Sequence, residues 1–185
     1  MTTPQNPVRW RGRILAFMTI IAVVWCLRLG IPYTINRQLI KTYFIPSESM
    51  VPELEVGDRI LVHLKDLSEF EPGEVVVFHA PDKPGDTYVK RLAALPGDTV
   101  QIAGGWLWIN GKPPENPALR EHRYTSMGIF GVRDQFIIPK GKVFFLGDNS
   151  PVSIDSRFFG AVSEQAVIGR AYKIIWPPKR NGPIE

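Results

Sequence analysis

From residue 41 onward, turn residues cut this chain into short pieces, and that limits it to few architectures. Seventeen prolines and sixteen glycines are spread along 185 residues. Glu71-Pro72-Gly73-Glu74, Pro96-Gly97-Asp98, Gly104-Gly105, Asn110-Gly111 and Pro139-Lys140-Gly141 all punctuate apolar stretches. Such pairs mark turns because glycine accepts a positive φ and proline presets a negative one. The intervening runs have strand length and not helix length. In Arg59–Leu64, Ile60, Val62 and Leu64 alternate with Leu61 and His63. Val75-Val76-Val77-Phe78 is a continuous apolar run, which predicts a strand buried on both faces. Further strands are predicted over 42–46, 87–92, 99–102, 106–109, 136–138, 143–146 and 168–175. The glycine and asparagine turns around 104–111 predict a small meander. Residues 112–135 carry Pro113, Pro114 and Pro117 without periodicity and read as a surface loop. Gly147 to Arg157 reads as a polar loop. The body is therefore predicted to be mostly β.

The first 35 residues have another character. Residues 1–13 carry Arg9, Arg11 and Arg13 and no acid, and Ile14 to Leu27 are almost wholly apolar. This clean run is shorter than the roughly 20 residues that span a bilayer. Extending it through Ile35 supplies the length, with Arg28 snorkelling to the interface and Trp10, Trp25 and Tyr33 as interface anchors. Three readings compete: a cleaved signal peptide, a buried core helix and an uncleaved anchor. Leu27-Arg28-Leu29-Gly30-Ile31-Pro32 offers no small-x-small cleavage site. A helix apolar on all sides does not suit a soluble surface. The segment is read as a single-pass transmembrane anchor over 14–35, preceded by a short tail over 1–13 and followed by a β-rich domain over 36–185. The arginines of the tail favour an inside N-terminus, with the main domain on the outer face.

Composition excludes several functions. The net charge of +4 comes with no basic stripe or nucleic-acid motif. The single cysteine, Cys26, rules out an intrachain disulfide and a multi-cysteine metal site. The three histidines, His63, His79 and His122, lie in no glycine- or serine-rich elbow and show no ligand spacing. A histidine-based triad and metal-assisted hydrolysis are both disfavoured.

What remains is a lysine and a serine. Strand alternation places Tyr88, Lys90 and Leu92 on one face and Val89 and Arg91 on the other. A lysine between an aromatic and an aliphatic residue is predicted to face inward. Burial penalises the ammonium, so the amine loses its proton more easily and can serve as a base. Alternation alone equally allows a strand lysine whose head reaches solvent. Arg91 cannot take the same role, because guanidinium stays protonated. A serine hydroxyl needs such a base, and Pro46-Ser47-Glu48-Ser49-Met50 supplies the candidate, Ser49. A third segment, Gly147-Asp148-Asn149-Ser150-Pro151-Val152-Ser153-Ile154-Asp155-Ser156-Arg157, is dense in hydrogen-bonding groups. It reads either as an ordinary turn region or as a support for catalytic groups. In the second case Asp155 and Arg157 pair and Ser153 lies near Lys90.

Taken in order, these segments resemble the type I signal peptidases, membrane-bound Ser-Lys proteases that remove signal peptides from exported proteins. The matching pieces are Ile45 to Leu54, Gly57-Asp58, Gly73 to Phe78, Tyr88 to Arg91 with Leu95-Pro96-Gly97-Asp98, and Gly147-Asp148-Asn149 with Ser153, Asp155-Ser156-Arg157 and Gly160. The resemblance runs from the anchor to the last strand. It implies a mostly β fold of antiparallel sheets with one N-terminal transmembrane helix. It also implies Ser49 as nucleophile and Lys90 as general base, with an oxyanion hole from the Ser49 N–H and the Ser47 hydroxyl. Ser153 then orients the lysine, Asp155 and Arg157 form a supporting ion pair, and Gly147 packs beside the site. Tyr43, Ile45 and Tyr88 fall where the family lines shallow pockets for small side chains.

The resemblance further implies secretory precursors with small-x-small sites as substrates, a lipid bilayer as support and proximity to the translocon. No metal, organic cofactor or nucleic acid is expected. The expected location is the cell membrane, or a thylakoid membrane, with the catalytic domain on the trans face. Three departures stand out: Glu48 where glycine is frequent, Ala94 where glycine is common, and Ser150-Pro151 in place of an arginine-containing stretch. None removes a catalytic group. The short 112–135 segment suggests a member without a large inserted second domain. Rival readings are a self-cleaving repressor-type Ser-Lys protease, a specialised precursor-processing peptidase and a non-enzymatic tethered domain that binds peptides by strand addition.

Overall fold

The structure is a computed structural model that describes residues 17–25, 40–64 and 70–185. The chain divides into two units, Met1–Leu39 and Ile40–Glu185. In the first, residues 17–25 form a helix, α1, whose apolar side chains Phe17, Met18, Ile20 and Trp25 are exposed. Among the described residues, no helix is long and apolar enough to cross a membrane. The anchor expected over 14–35 is described only within α1. Its parts at 14–16 and 26–35, the tail over 1–13, Trp10 and Tyr33 lie outside the described residues.

The second unit is built from antiparallel strands. Eleven are seen among the described residues: β1 Ile40–Phe44, β2 Arg59–His63, β3 Val75–His79, β4 Thr87–Ala94, β5 Thr99–Ala103, β6 Trp106–Ile109, β7 Phe136–Ile137, β8 Lys142–Leu146, β9 Val162–Ser163, β10 Val167–Trp176 and β11 Gly182–Pro183. The large sheet runs β1-β2-β10-β3-β4-β8-β9, with β11 added to β10. The small sheet runs β6-β5-β7. The expected meander is this small sheet. Its β5–β6 hairpin turns at Gly104-Gly105, and β6 ends at Asn110-Gly111, where φ is +53° and +74°. Positive φ suits these two residue types because short or absent side chains relieve the clash with backbone.

Burial follows the apolar pattern. Val75, Val76, Val77 and Phe78 are all buried, as a two-sided apolar run requires. Val75 and Val77 join Ile60, Val62, Met50 and Leu54 in one cluster. Val76 and Phe78 join Leu92, Val143 and Phe145 in another, on the opposite face. There Phe78 and Phe145 stack with centroids 4.1 Å apart and planes 8° apart. A third cluster joins the two sheets through Val100, Leu107, Ile138 and Phe144.

One sequence expectation needs correction. Residues 112–135 are not wholly surface. Leu119, Tyr124 and Val132 belong to the third cluster, and Pro117–Arg120 forms one helical turn, α2, capped by Asn116. The polar majority of the segment masked three inward residues too far apart to show a period. The loop from Gly147 to Arg157 is also largely interior, with Ser150, Ser153, Asp155, Ser156 and Arg157 buried. Polar composition reads as solvent exposure only when the polar groups do not pair with one another.

Phe145→Ala is expected to lower the unfolding free energy by about 3–5 kcal/mol, the usual cost of emptying a buried phenyl site. Denaturant titration of the full chain checks this.

Candidate active site

Ser49 lies in a turn that follows β1. The segment leaves the strand at Ile45 and returns at Asp58, and Ile45 N–H donates to the Asp58 carbonyl at 2.9 Å. Gly57 N–H closes the loop on the Ile45 carbonyl, also at 2.9 Å. Within it, Leu54 N–H donates to the Met50 carbonyl at 2.8 Å. Met50 and Leu54 plug the core beneath, which fixes the turn from below. Ser49 itself is almost enclosed, at 7% exposure.

Lys90 reaches this turn from β4, which lies between β3 and β8 in the large sheet. It pairs across the ladder with Val76, and along β4 it stands between half-buried Val89 and buried Arg91. Its Nζ donates to Ser49 Oγ at 2.6 Å, and the Ser47 and Ser49 hydroxyl oxygens lie 3.3 Å apart. The amine is 5.6 Å from the centre of the Tyr88 ring. Burial is the main cause that brings the Lys90 pKa down from 10.5 to about 8. The carboxylates of Asp155 and Asp148 oppose the fall, and the Arg157 guanidinium adds to it. The amine is therefore available as a base near neutral pH.

Behind the pair stand two buried ion pairs. Arg157 Nε donates to Asp155 Oδ1 and Nη2 to Oδ2, both at 2.8 Å. The rest of the guanidinium donates to the Thr125 carbonyl and hydroxyl, the Ser150 hydroxyl and the Ser150 carbonyl. Asp155 also accepts from Gly147 N–H at 2.9 Å. On β4, Arg91 Nε and Nη2 donate to the two oxygens of Asp148 at 2.9 and 2.6 Å. Asn149, next to Asp148, donates its N–H to the Ser49 carbonyl and its amide to the Glu48 carbonyl, both at 3.1 Å. The third segment thus holds the serine turn directly.

Gly147 is required by space. A Cβ there would lie 2.1 Å from Ser153 Oγ and 2.6 Å from the Ser49 carbonyl oxygen. Ser153 Oγ is buried and has no hydrogen-bond partner among the described residues. A cleft of about 450 Å³ opens over the pair. Tyr43, Ile45, Ser47, Ser49, Tyr88 and Lys90 line it. All residues singled out from the sequence therefore gather around one cleft or directly behind it. Four have contacts that the sequence reading did not assign: Asp148, Asn149 and Ser150, which it quoted only as part of the polar segment, and Thr125, which it did not name. Arg91 held the clue to Asp148. The run Leu92-Ala93-Ala94 after it leaves neither strand face polar, so a guanidinium there needs a carboxylate inside.

Comparison with known proteins gives one consistent answer. The family model described as signal peptidase, peptidase S26, matches residues 11–176. A Staphylococcus aureus protein named signal peptidase IB is 36% identical over 181 residues, covering 90% of this chain and 92% of that protein. A Leptolyngbya laminosa signal peptidase I is 38% identical over 152 residues, covering 76% and 71%. A crystal structure of a signal peptidase I from Enterococcus faecalis matches with a TM-score of 0.47 and 30% identity, over 55% of this chain and 96% of that one.

The buried amine has a stability consequence. Its folded pKa of about 8 lies below the unfolded value of 10.5, so the unfolded chain binds more protons between the two. Stability contributed by this group rises with pH across that window, and the full penalty is present below it. Lys90→Met is expected to be more stable than the parent at pH 7, by about 3 kcal/mol. The advantage shrinks as pH rises from about 8 toward 10.5, as followed by denaturant unfolding at several pH values.

Proposed function

The chain belongs to the peptidase S26 family of signal peptidases, serine hydrolases that cut signal peptides, and from that premise we propose that Ser49 is its nucleophile and Lys90 its general base. The observation that carries this reading is the 2.6 Å contact between Lys90 Nζ and Ser49 Oγ in an enclosed setting. With the amine neutral, the serine hydroxyl donates to its lone pair along the same line. Lys90 takes the proton as Ser49 Oγ bonds to the scissile carbonyl carbon. The carbonyl oxygen becomes an oxyanion, held by the Ser49 N–H and the Ser47 hydroxyl. Lysinium then gives its proton to the leaving amine, the C–N bond breaks and an acyl-Ser49 remains. The leaving amine is the mature protein; Lys90 next takes a proton from a water that attacks the ester, and returns it to Ser49 Oγ as the C–O bond breaks and the signal peptide leaves with a free carboxylate.

Geometry supports the same reading for the surrounding groups. Asp155 and Arg157 hold the loop that carries Gly147 and Ser153. The Ser153 hydroxyl, packed against Gly147, is available to orient the amine. Tyr43, Ile45 and Tyr88 border the cleft where an extended precursor would lie, adding its backbone to a strand. Shallow borders of this kind suit small side chains on either side of one outward residue.

The substrates are read as secretory precursors with small-x-small sites, cut close to a bilayer. The apolar stretch over 14–35 is read as a single-pass anchor that keeps the catalytic unit on the trans face, near the translocon. About fourteen residues separate Ile35 from Ser49, a reach of at most about 50 Å. Tethering at that range raises the effective concentration of an emerging cleavage site.

Cleavage of a purified secretory precursor in detergent or lipid tests the assignment. Wild type is expected to cut after a small-x-small site, while Ser49→Ala and Lys90→Ala lose about 10³-fold or more in kcat/KM and stay folded. The wild-type rate is expected to rise with pH through about 8, because the neutral amine is the active form. Lys90→Arg is expected to be folded and inactive, and a near-normal rate in that variant would remove lysine from the base role.

A further inference from the structure

The nucleophile's loop is gripped from a side that the reaction does not use. Pro178–Arg180 makes a single 3₁₀ turn, and β11 then pairs with β10 at Lys173↔Pro183 and Ile174↔Gly182. Ile184 N–H donates to the Tyr172 carbonyl at 3.1 Å, and its side chain packs on the cluster that holds Met50 and Leu54. Segment 180–185 is therefore a fixed part of the sheet, and two of its residues reach the loop after Ser49.

Arg180 makes the larger grip. Its Nε donates to Asp58 Oδ1 and Oδ2 at 3.0 and 3.1 Å, and Nη2 donates to Asp58 Oδ2 at 3.0 Å. Nη2 also donates to the Glu53 carbonyl at 2.9 Å, and Nη1 to Glu55 Oε1 at 3.0 Å. Asp58 is buried, and its Oδ2 further accepts from Glu55 N–H at 2.8 Å. One guanidinium thus joins three points of the return half of the loop, using the planar fork that lysine lacks.

Glu185 closes a circuit. Its N–H donates to Glu53 Oε1 at 3.0 Å, and its carbonyl accepts from Arg91 Nη1 at 2.5 Å. Arg91 is the neighbour of Lys90 and the partner of Asp148, and Asn149 beside Asp148 holds the Ser49 carbonyl. A continuous ring of polar contacts therefore runs from the serine loop through segment 180–185 to the lysine strand, and back to Ser49.

We propose that Arg180 is a positioning residue for the nucleophile, which holds the Ser49 loop at the distance from β4 that the reaction needs. The inference rests on the Ser49–Lys90 assignment. Arg180 touches neither substrate nor reacting atoms. Its loss leaves the cleft walls of β1 and β4 in place but frees the back half of the loop. The separation of Ser49 from Lys90 then varies, and water reaches the amine, which Asp148, Asp155, Arg157 and Tyr88 otherwise surround.

The test compares the full chain with Arg180→Ala, Arg180→Lys and Ser49→Ala in precursor cleavage, with circular dichroism as a folding control. Arg180→Ala is expected to lower kcat by about tenfold or more, with KM within about twofold. The rising limb of its pH profile is expected to move upward by about half a unit or more, as the amine regains water. Arg180→Lys is expected to fall between the two, because it keeps charge but not the fork. A purely structural role lowers kcat only by the unfolded fraction and leaves the pH limb in place, and that result overturns the proposal. So does an Arg180→Ala variant with wild-type kcat. If Arg180→Ala does not fold, Arg180→Lys decides: an unchanged kcat and limb refute the positioning role. Ser49→Ala separates the two levels. Full cleavage by that variant removes the dyad and the positioning role together. An inactive Ser49→Ala beside fully active Arg180 variants removes only the latter.

Discussion

An amine with almost no water around it is the constraint on which this molecule is arranged. Lys90 is 5% exposed and stands in the middle of the large sheet. A charge there is costly, so the amine gives up its proton more readily than a free lysine does, as the proposed base role requires. The same burial makes loose polar groups nearby costly, and Ser153 Oγ is one that stays unpartnered among the described residues. The surroundings otherwise meet that cost with two bidentate arginine–aspartate pairs in place of an apolar wall. Their opposite charges lie close together, which leaves only a modest net field at the amine. The two carboxylates raise the affinity of Lys90 for a proton and Arg157 lowers it.

The two pairs also serve as frame. Asp155 takes the Gly147 N–H and the Nε and Nη2 arms of Arg157, while Nη1 holds Thr125 and Ser150, so one ion pair sets the path of the chain behind the amine. Asp148 does the same for Arg91, and its neighbour Asn149 carries the order across to the serine turn. Breaking either pair would leave a charge buried without compensation, which typically costs several kcal/mol. Such pairs add little stability over an apolar core of the same shape. Their value here is that they permit one geometry and no other.

Much of this was legible in the sequence, and the reasons are physical. Turn pairs such as Asn110-Gly111 and apolar runs such as Val75–Phe78 located strands because both signals are local. Family resemblance pointed to Ser49, Lys90 and the residues behind them because these motifs keep order along the chain, and the structure brings them together. Pairing partners were harder to see. Alternation puts Arg91 on the face opposite Lys90, yet both faces of β4 are interior from Lys90 onward, which alternation cannot show. Leu119, Tyr124 and Val132 were lost in a polar segment because their burial depends on the sheet that covers them. Arg180 carried no signal at all, since its partners lie more than a hundred residues earlier.

That last separation bears on when the site comes into being. The contact between Ser49 and Lys90 closes 41 residues of chain, the tie between Glu48 and Asn149 closes 101, and the grip of Arg180 on Glu53 closes 127. Contacts of such span arise late in folding, because loop-closure entropy must be overcome before they contribute. Chain elongation proceeds from the N-terminal side, so the serine is made long before the groups that hold it. A nascent molecule thus carries Ser49 in an unset turn, and the full set of contacts around it arrives only with the last strand of the sheet.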